Sequence, residues 1–504
     1  MLLCIRHAEH ALRSSDSNNL LLAAGGTKKV ILRHVIMSSV VVAVAVVSPV
    51  SADADKPARP NFIVINCDNL GYGDVGCFGS KKHRTPHIDR MAAEGLRLTS
   101  FYVSAGVCTP SRASLMTACY PRRVGLHWNR HDGWVLRPAS PTGLHPDEVT
   151  VAKVLKPRGY ATACIGKWHL GDQTAFLPTR QGFDEYFGIP YSDNMVGNKR
   201  PGWPPLPLMR DEKVIEAPVE RNDLTKRYTL EAVRFIEAHR DKPFFLYLPH
   251  AMPGSTRAPF ASERFRGKSA NGPYGDSVEE LDWSMGEILA ALKRLGIDEQ
   301  TLVVWTSDNG APRHNPPQGS NLPWKGWGYN TSEGAMRMPC IIRWPGQTPA
   351  GTVCDELMTS MDLMPTFARL TGAKMPTDRI IDGRDVSDLL LGKPDAKSPH
   401  EVFYYYHARQ LQAVRDRRYK LYLALEKKLT GSGDQGNSSQ ARLYDLVTDP
   451  RETRNLAQAK PQVVSRLMTS AQRAREDLGD LNRPGKNQRP AGKVENPKPQ
   501  LIGG

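Results

Sequence analysis

The sequence predicts an α/β fold: a large, mostly parallel or mixed sheet sandwiched by helices, followed by a smaller α+β unit. The first observation is a series of short, continuously apolar segments, each followed at once by a turn-rich polar segment. These predicted strands are 61–66, 161–165, 244–248 and 301–306. The second observation is that segments with apolar residues three and four positions apart separate them, which predicts helices at 87–94, 111–117, 150–155, 225–239 and 277–295. Strands that alternate with helices are typical of a parallel sheet with helices on both faces.

The pattern of apolar and polar residues changes near residue 400. From there the pattern predicts two or three antiparallel strands and a final helix near 461–478, which together form a small α+β unit built on a short antiparallel sheet. The last segment is rich in Pro, Gly and Lys and has almost nothing to bury, so we expect a disordered tail. The predicted units are a leader at 1–52, a large α/β domain at 53–395, the α+β unit at 396–480 and the tail at 481–504.

The amino-terminal segment has the features of a secretory signal. Arg33 precedes an apolar run at 35–47, and Val50-Ser51-Ala52 has the small residues of a signal-peptidase cleavage site. We therefore predict cleavage after Ala52 and an exported protein, periplasmic or secreted. The alternative is a membrane anchor, but the run is shorter than the roughly 20 residues that span a bilayer, so no stable membrane span is expected. Met1 and Met37 are both candidate start residues.

The chain is basic, with 67 Lys and Arg against 52 Asp and Glu and a formal net charge of +15. Such a surplus favours an anionic partner. No nucleic-acid-binding motif accompanies the charge, so nucleic acid is not an expected partner. The eight cysteines become seven once Cys4 leaves with the leader, and an odd number indicates at least one thiol with a role other than pairing.

The strongest local signal is the run Cys108-Thr109-Pro110-Ser111-Arg112. It places a thiol just before a predicted helix start, where Ser111 could cap the helix, free N–H groups favour an anion, and Arg112 adds a fixed positive charge. In isolation, the simplest interpretation would be a buried cysteine before a capped helix.

This run resembles the signature of type I sulfatases, in which the cysteine is oxidised to formylglycine. The resemblance extends to 60–79, 166–171, 177–194, 306–312 and 442–457, and it is nearest to the arylsulfatase A and N-acetylgalactosamine-6-sulfatase branch. It implies an alkaline-phosphatase-like fold, with 53–395 as the catalytic domain of a sulfuric ester hydrolase. It also implies a sulfated small molecule or glycan as substrate and a formylglycine-generating maturation enzyme as partner.

Two Asp-Asn pairs follow predicted strands, Asp68-Asn69 and Asp308-Asn309. Such pairs are usually turn residues, although their oxygen atoms are also the ligands that Ca²⁺ and Mg²⁺ prefer. The resemblance implies that these four residues and position 108 together bind Ca²⁺, with Mg²⁺ as the alternative. Many family members have Asp at the place of Asn69, so we expect one charge fewer and weaker metal binding.

Lys167 and His169 lie two residues apart, so on an extended segment their side chains would point the same way. By resemblance, Lys167 bridges formylglycine and sulfate, and His169 holds the aldehyde hydrate and assists its breakdown. Arg112 would stabilise the hydrate, and Ser192 would contact the sulfate.

Two departures from the family pattern concern protonation of the leaving group. Family members often carry a substrate histidine within a His-x-x-Pro-His run, whereas this chain reads His250-Ala-Met-Pro-Gly254-Ser-Thr-Arg257. We predict that His250 serves, with Arg257 as the alternative. The family also has a lysine before a Glu-Gly-Gly turn, where this chain has Gly328 and a displaced Lys325, which we predict as a substrate-binding residue.

Two other functions are consistent with these residues. A phosphonate monoester or phosphodiester hydrolase of the same superfamily could use a similar site. A non-catalytic binder of sulfated glycans would account for the positive charge and for the altered positions.

Overall fold

The computed structural model describes residues 59–197, 199–425, 429 and 439–503. The predicted leader and its cleavage site lie outside the described residues. Within these ranges, no helix combines the length and apolar composition that crossing a bilayer requires.

Strands and helices alternate through the first two thirds of the described chain. The strands are β1 (Asn61–Asp68), β2 (Leu96–Tyr102), β3 (Thr142–Gly143), β4 (Ala161–Ile165), β5 (Glu185–Gly188), β6 (Leu208–Arg210), β7 (Lys213–Glu216), β8 (Phe244–Pro253), β9 (Thr301–Ser307), β10 (Arg337–Arg343), β11 (Thr352–Cys354), β12 (Met358–Thr359), β13 (Phe403–His407), β14 (Gln410–Arg415), β15 (Tyr419–Tyr422), β16 (Arg442–Asp445), β17 (Gly479–Asp480), β18 (Arg483–Pro484) and β19 (Gly492–Lys493). The helices are α1 (Pro86–Ala93), α2 (Cys108–Thr117), α3 (Val151–Leu155), α4 (Leu224–Ala238), α5 (Gly272–Arg294), α6 (Glu333–Met336), α7 (Leu363–Thr371), α8 (Ser387–Leu390) and α9 (Pro461–Asp477).

The large sheet has eleven strands in the order β11-β2-β10-β9-β1-β8-β4-β5-β6-β7, with β12 also paired to β2. The central strands β9, β1, β8, β4 and β5 run parallel, whereas β10, β6 and β7 pair antiparallel with their neighbours. The predicted α/β class with a mostly parallel or mixed sheet is therefore confirmed.

Both faces of the sheet are covered, as its continuously apolar strands predict. In β1, Phe62 and Val64 face one core and Ile63 and Ile65 face the other. All four side chains are buried. Alternate residues of a strand point to opposite faces, so an apolar strand of this kind needs cover on both sides.

The small carboxyl-terminal sheet is antiparallel, with the order β13-β14-β15-β16. The sequence predicts two or three strands, whereas the structure has four, the last of which is β16. Leu421 of this sheet and Leu467 of α9 belong to the same apolar cluster as Phe62 of the large sheet. The core of the small unit is therefore continuous with one core of the large one.

The prediction of a disordered tail is wrong. β18 pairs with β17, and β19 pairs with β3. Farther on, Lys498 and Gln500 donate hydrogen bonds to the side chain of Gln173 (2.8 Å) and the carbonyl of Asp172 (2.7 Å). The prediction counted only apolar burial, whereas this segment is held by backbone pairing and polar contacts along the domain surface.

Candidate active site

Two acidic residues meet because parallel strands end together at one edge of the sheet. β1 and β9 are in register, with Cys67 opposite Ser307, so the next residues, Asp68 and Asp308, become neighbours. The Asn69 N–H donates to Asp308 Oδ1 (3.0 Å) and the Asp308 N–H donates to the Cys67 carbonyl (3.0 Å). The carboxyl ends of parallel strands are where open α/β sheets place their sites.

Helix α2 contributes Cys108 and Arg112 to the same edge. The helix begins at Cys108 after Val107, so Ser111 lies inside the helix and is not its cap. Arg112 lies one turn after Cys108, and its guanidinium donates to Asp308 Oδ2 (2.9 Å), Asp68 Oδ1 (3.0 Å) and the carbonyl of Lys167 (2.8 Å). The Arg112 side chain is fully buried, so these bonds hold the two carboxylates in fixed positions.

Lys167 joins three predicted site residues. Its Nζ lies 2.8 Å from Asp68 Oδ1, 3.5 Å from Cys108 Sγ and 3.3 Å from Ser192 Oγ. The segment is held close to β8, because the Lys167 N–H donates to the Pro249 carbonyl (2.8 Å). Gly166 permits this approach, since a Cβ there would lie 2.0 Å from the same carbonyl oxygen.

The charges of the cluster are strongly coupled. Burial alone would raise the pKa of Asp68, but Lys167 and Arg112 hold it well below its usual range. Burial, with the nearby Asp68 charge, raises the pKa of Asp308 to about 7 despite Arg112. Burial and the two carboxylates raise the pKa of the Cys108 thiol well above its ordinary value. The thiol is therefore protonated, and an unmodified Cys108 would be a weak nucleophile.

His169 lies in the left-handed region of backbone space, with φ 60°. Its Nε2 is 2.9 Å from the carbonyl of Leu136, and its buried Nδ1 has no hydrogen-bond partner among the described residues. Burial, reinforced by Lys167 and Arg112, holds the pKa of His169 well below its ordinary value. The ring is therefore neutral, with the proton on Nε2 and an acceptor at Nδ1.

The predicted metal ligands also meet. One potential ligand atom from each of Asp68, Cys108 and Asp308 lies within 4.8 Å of the others. Asn69 accepts a hydrogen bond from Asn309 Nδ2, and the buried Asn309 Oδ1 has no partner among the described residues. An unpartnered buried oxygen beside two carboxylates fits a hard divalent cation.

The structure does not bring His250 to this site. His250 lies within β8, and its Nε2 is 3.2 Å from Ser284 Oγ in helix α5. Its ring packs toward Tyr228 of α4, with ring centroids 6.4 Å apart, and burial lowers its pKa to about 3. The prediction for His250 is therefore wrong: strand geometry points this side chain into the helix layer and away from Cys108.

The other residues predicted for the leaving-group side are also directed elsewhere. Arg257 is exposed, and so is Lys325, whose Nζ donates to the carbonyl of Glu452 (3.4 Å). Position 328 cannot carry a side chain with this backbone, because a Cβ there would lie 2.3 Å from the carbonyl oxygen of Gly310. Lys325 therefore does not compensate for the missing lysine at Gly328.

Sequence reasoning missed Ser255 and Tyr329, which follow the altered positions Gly254 and Gly328. Ser255 Oγ accepts a hydrogen bond from Asn69 Nδ2 (3.0 Å) and lies 2.7 Å from the Tyr329 hydroxyl. The Tyr329 N–H donates to the Gly106 carbonyl (2.7 Å), two residues before Cys108. Adjacency to departures from the family pattern was the signal that could have found them.

Comparisons with known proteins agree with this geometry. A family model described as Sulfatase matches residues 60–373, and one described as N-sulphoglucosamine sulphohydrolase, C-terminal, matches 325–477. Human arylsulfatase A is 39% identical over 81% of this chain and 86% of its own length, and mouse N-acetylgalactosamine-6-sulfatase is 40% identical over 73% of each chain. A sulfatase structure from Pseudoalteromonas sp. superposes with a TM-score of 0.71 at 29% identity, covering 82% of this chain and 89% of the other. The chain therefore belongs to the sulfatase family, as the sequence resemblance predicted.

Proposed function

We propose that this protein cleaves an aryl or carbohydrate sulfate monoester to the alcohol and inorganic sulfate. The observation that carries the proposal is the buried cluster in which Cys108, Arg112 and Lys167 surround the carboxylates of Asp68 and Asp308. Positive groups fixed beside a nucleophile position suit an anionic ester whose charge moves during reaction. The names of the relatives support this substrate class, because they specify aryl and N-acetylgalactosamine 6-sulfates.

The proposal includes two groups that the chain acquires. Cys108 is matured to formylglycine by a formylglycine-generating enzyme, and Asp68, Asn69, Asp308 and Asn309 hold Ca²⁺, or Mg²⁺ in its place. The protonated, buried thiol and the unpartnered Asn309 oxygen support both groups. When present, the aldehyde hydrate supplies a hydroxyl nucleophile and the cation supplies positive charge for the sulfate oxygens.

The other roles in binding and proton transfer belong to side chains of the protein itself. Lys167 Nζ and Ser192 Oγ, which lie 3.3 Å apart, would donate hydrogen bonds to a sulfate bound beside position 108. Arg112 orients the two carboxylates through its three hydrogen bonds. His169 Nδ1 is free to accept a proton, because Nε2 is engaged with the Leu136 carbonyl.

Export completes the proposal: the leader is removed after Ala52, and the protein acts in the periplasm or outside the cell. A formylglycine-generating enzyme would then have to act on the chain in the producing cell. The substrate would reach the protein in the same compartment.

Mass spectrometry of the peptide that carries position 108 tests the proposal first. The lighter aldehyde, together with turnover of 4-nitrophenyl sulfate that requires added Ca²⁺, is the expected result. A thiol at position 108, in a host shown to mature another sulfatase, would contradict the mechanism.

One observation favours a second candidate, the non-catalytic binder of sulfated glycans. Neither His250 nor Lys325 contacts the cluster around Cys108 among the described residues. A chain with the thiol intact that binds sulfate esters without turnover would support this candidate.

A further inference from the structure

Asp193 is a buried carboxylate that nothing in the described structure satisfies. Its side chain is fully buried, and neither carboxylate oxygen has a hydrogen-bond partner among the described residues. The Arg221 guanidinium bonds to the main-chain carbonyl of Asp193 (3.4 Å) and not to its carboxylate. An unsatisfied buried carboxylate is costly, so such a group indicates a place that a ligand completes.

The position of Asp193 relative to the site is defined by Gly254. A Cβ built on Gly254 would lie 3.2 Å from Asp193 Oδ1 and 3.7 Å from Asp68 Oδ2. Gly254 therefore leaves open a small space between these two carboxylates, and its φ of +73° disfavours any side chain that would fill it. In the sequence His250-Ala-Met-Pro-Gly254, Gly254 stands where the His-x-x-Pro-His run has its last histidine, so the space is the one that this departure from the family pattern leaves.

Asp193 also shares its surroundings with the sulfate-binding residues. It directly follows Ser192, which lies 3.3 Å from Lys167 Nζ. Burial raises the pKa of Asp193 to about 6, although Lys167 opposes this rise. A sulfate held by Lys167 and Ser192 would therefore place the adjoining atoms of its leaving group beside the Asp193 carboxylate.

We propose that the Asp193 carboxylate is a subsite for a hydrogen-bond donor, a hydroxyl or an ammonium group, carried by the leaving group of the sulfate ester. A carboxylate only accepts hydrogen bonds, so it selects donors and disfavours apolar or anionic substituents. This inference rests on the proposed function and makes esters with such a donor next to the sulfate its preferred substrates.

Equilibrium binding tests the subsite without depending on turnover. The full chain carrying Cys108→Ala, loaded with Ca²⁺, is titrated calorimetrically with phenyl sulfate and with 2-hydroxyphenyl sulfate, which differ by one hydroxyl. We expect the hydroxyl ester to bind about 10- to 100-fold more tightly, the usual worth of a hydrogen bond to a charged group. Adding Asp193→Ala should reduce this preference to less than about threefold, because the acceptor is gone.

A second pair of esters separates the two kinds of donor. Asp193→Asn keeps a neutral acceptor, so it should retain part of a preference for hydroxyl but lose a preference for 2-aminoethyl sulfate over ethyl sulfate. The matched control is Asp241→Asn, the same change at a side chain that is 89% exposed, which should alter neither preference.

Three outcomes would overturn the subsite: an unchanged preference in Asp193→Ala, no binding of either aryl ester by the Cys108→Ala chain, or a fall of more than about tenfold in Ca²⁺ affinity in Asp193→Ala. The last result would make Asp193 a metal ligand. Because binding is measured without turnover, absence of hydrolysis by the aldehyde-bearing wild-type chain would contradict the hydrolase proposal separately.

Discussion

Two buried carboxylates in this molecule, Glu333 and Asp193, differ in whether their oxygens have hydrogen-bond partners. Around Glu333 of α6, both carboxylate oxygens are engaged: Lys420 Nζ and the Tyr405 hydroxyl each lie 2.8 Å from Oε1, and the Tyr102 hydroxyl bonds to Oε2. Around Asp68, by contrast, Asn309 Oδ1, His169 Nδ1 and both oxygens of Asp193 are buried without partners. The satisfied Glu333 carboxylate joins the large sheet to the small one, whereas the unsatisfied cluster around Asp68 is suited to hold a ligand.

Similar residue types have different electrostatic surroundings in the two places. Burial opposes ionisation of Glu333, but Lys420 and Arg415 outweigh it and lower its pKa to about 2. Lys420 also donates to the carbonyl of Thr331 (3.1 Å). The Glu333 charge is thus fully compensated from within the protein, while Asp193 has no such compensation.

The largest effect is expected in the unsatisfied cluster, at position 108. Cys108→Ala should lower kcat/KM for 4-nitrophenyl sulfate by at least about 10⁴-fold, because it removes the nucleophile. Thermal unfolding should change little, since Ala keeps the helix start. Cys354→Ala, at the half-buried end of β11, is the matched control. Residual turnover near the wild-type level would place the chemistry elsewhere.

At Glu333, Lys420→Met should lower the free energy of unfolding by about 3–5 kcal/mol, because it removes the ammonium that lies 2.8 Å from the Glu333 carboxylate and 3.6 Å from that of Glu452. Urea unfolding measures the change, and the exposed Lys242→Met serves as control. A loss no greater than that of the control would show that Lys420 contributes little to the junction.

Neutralising Asp193 should raise the free energy of unfolding, whereas Lys420→Met lowers it. Burial raises the pKa of Asp193 from an ordinary 3.8 to about 6 in the folded chain, so ionisation of Asp193 destabilises the fold. This destabilisation is absent below about pH 4 and complete above about pH 6. Asp193→Asn should therefore stabilise the metal-free chain by about 3 kcal/mol at pH 7 and by little at pH 4. Denaturant unfolding in EDTA at both pH values measures this. Destabilisation at pH 7 would mean that Asp193 has a structural partner.

Metal binding should stabilise the chain by a free energy of similar size. Ca²⁺ at 100 times its Kd should stabilise the chain by about 2.7 kcal/mol, an effect that EDTA reverses. Asn69→Asp should tighten Ca²⁺ binding about tenfold by adding a ligand charge, and should destabilise the metal-free chain because Asp68 is adjacent. Calorimetry and thermal unfolding check both effects, with the exposed Asn496→Asp as control. Unchanged Ca²⁺ affinity would exclude position 69 from the metal site.

The smallest effect is expected at Lys325. Lys325 is exposed and its ammonium bonds to the Glu452 carbonyl, so Lys325→Ala should change kcat/KM by less than about threefold. Steady-state kinetics with 4-nitrophenyl sulfate measures this. A fall of more than tenfold would restore the sequence-based prediction for this lysine.

Part of the site was predictable because its residues lie next to strong local patterns. Asp68 and Asp308 each follow an apolar strand, and parallel strands end at a common edge. Cys108 and Arg112 lie one helical turn apart, so their proximity follows from local geometry. The tail was mispredicted because its order comes from contacts with distant segments, such as β19 with β3.

The sequence by itself determined the fold class, the family and the cluster around Cys108, since these depend on periodicity and on residues grouped in short motifs. Only the tertiary structure decided where the His250 side chain points and what lies beside Asp193. His250 turns into the helix layer because successive residues of β8 alternate between faces, and Gly254 opens a space beside Asp193, which comes from another segment of the chain. The direction of a side chain depends on the exact register and turn, and these are set by packing between segments far apart in sequence.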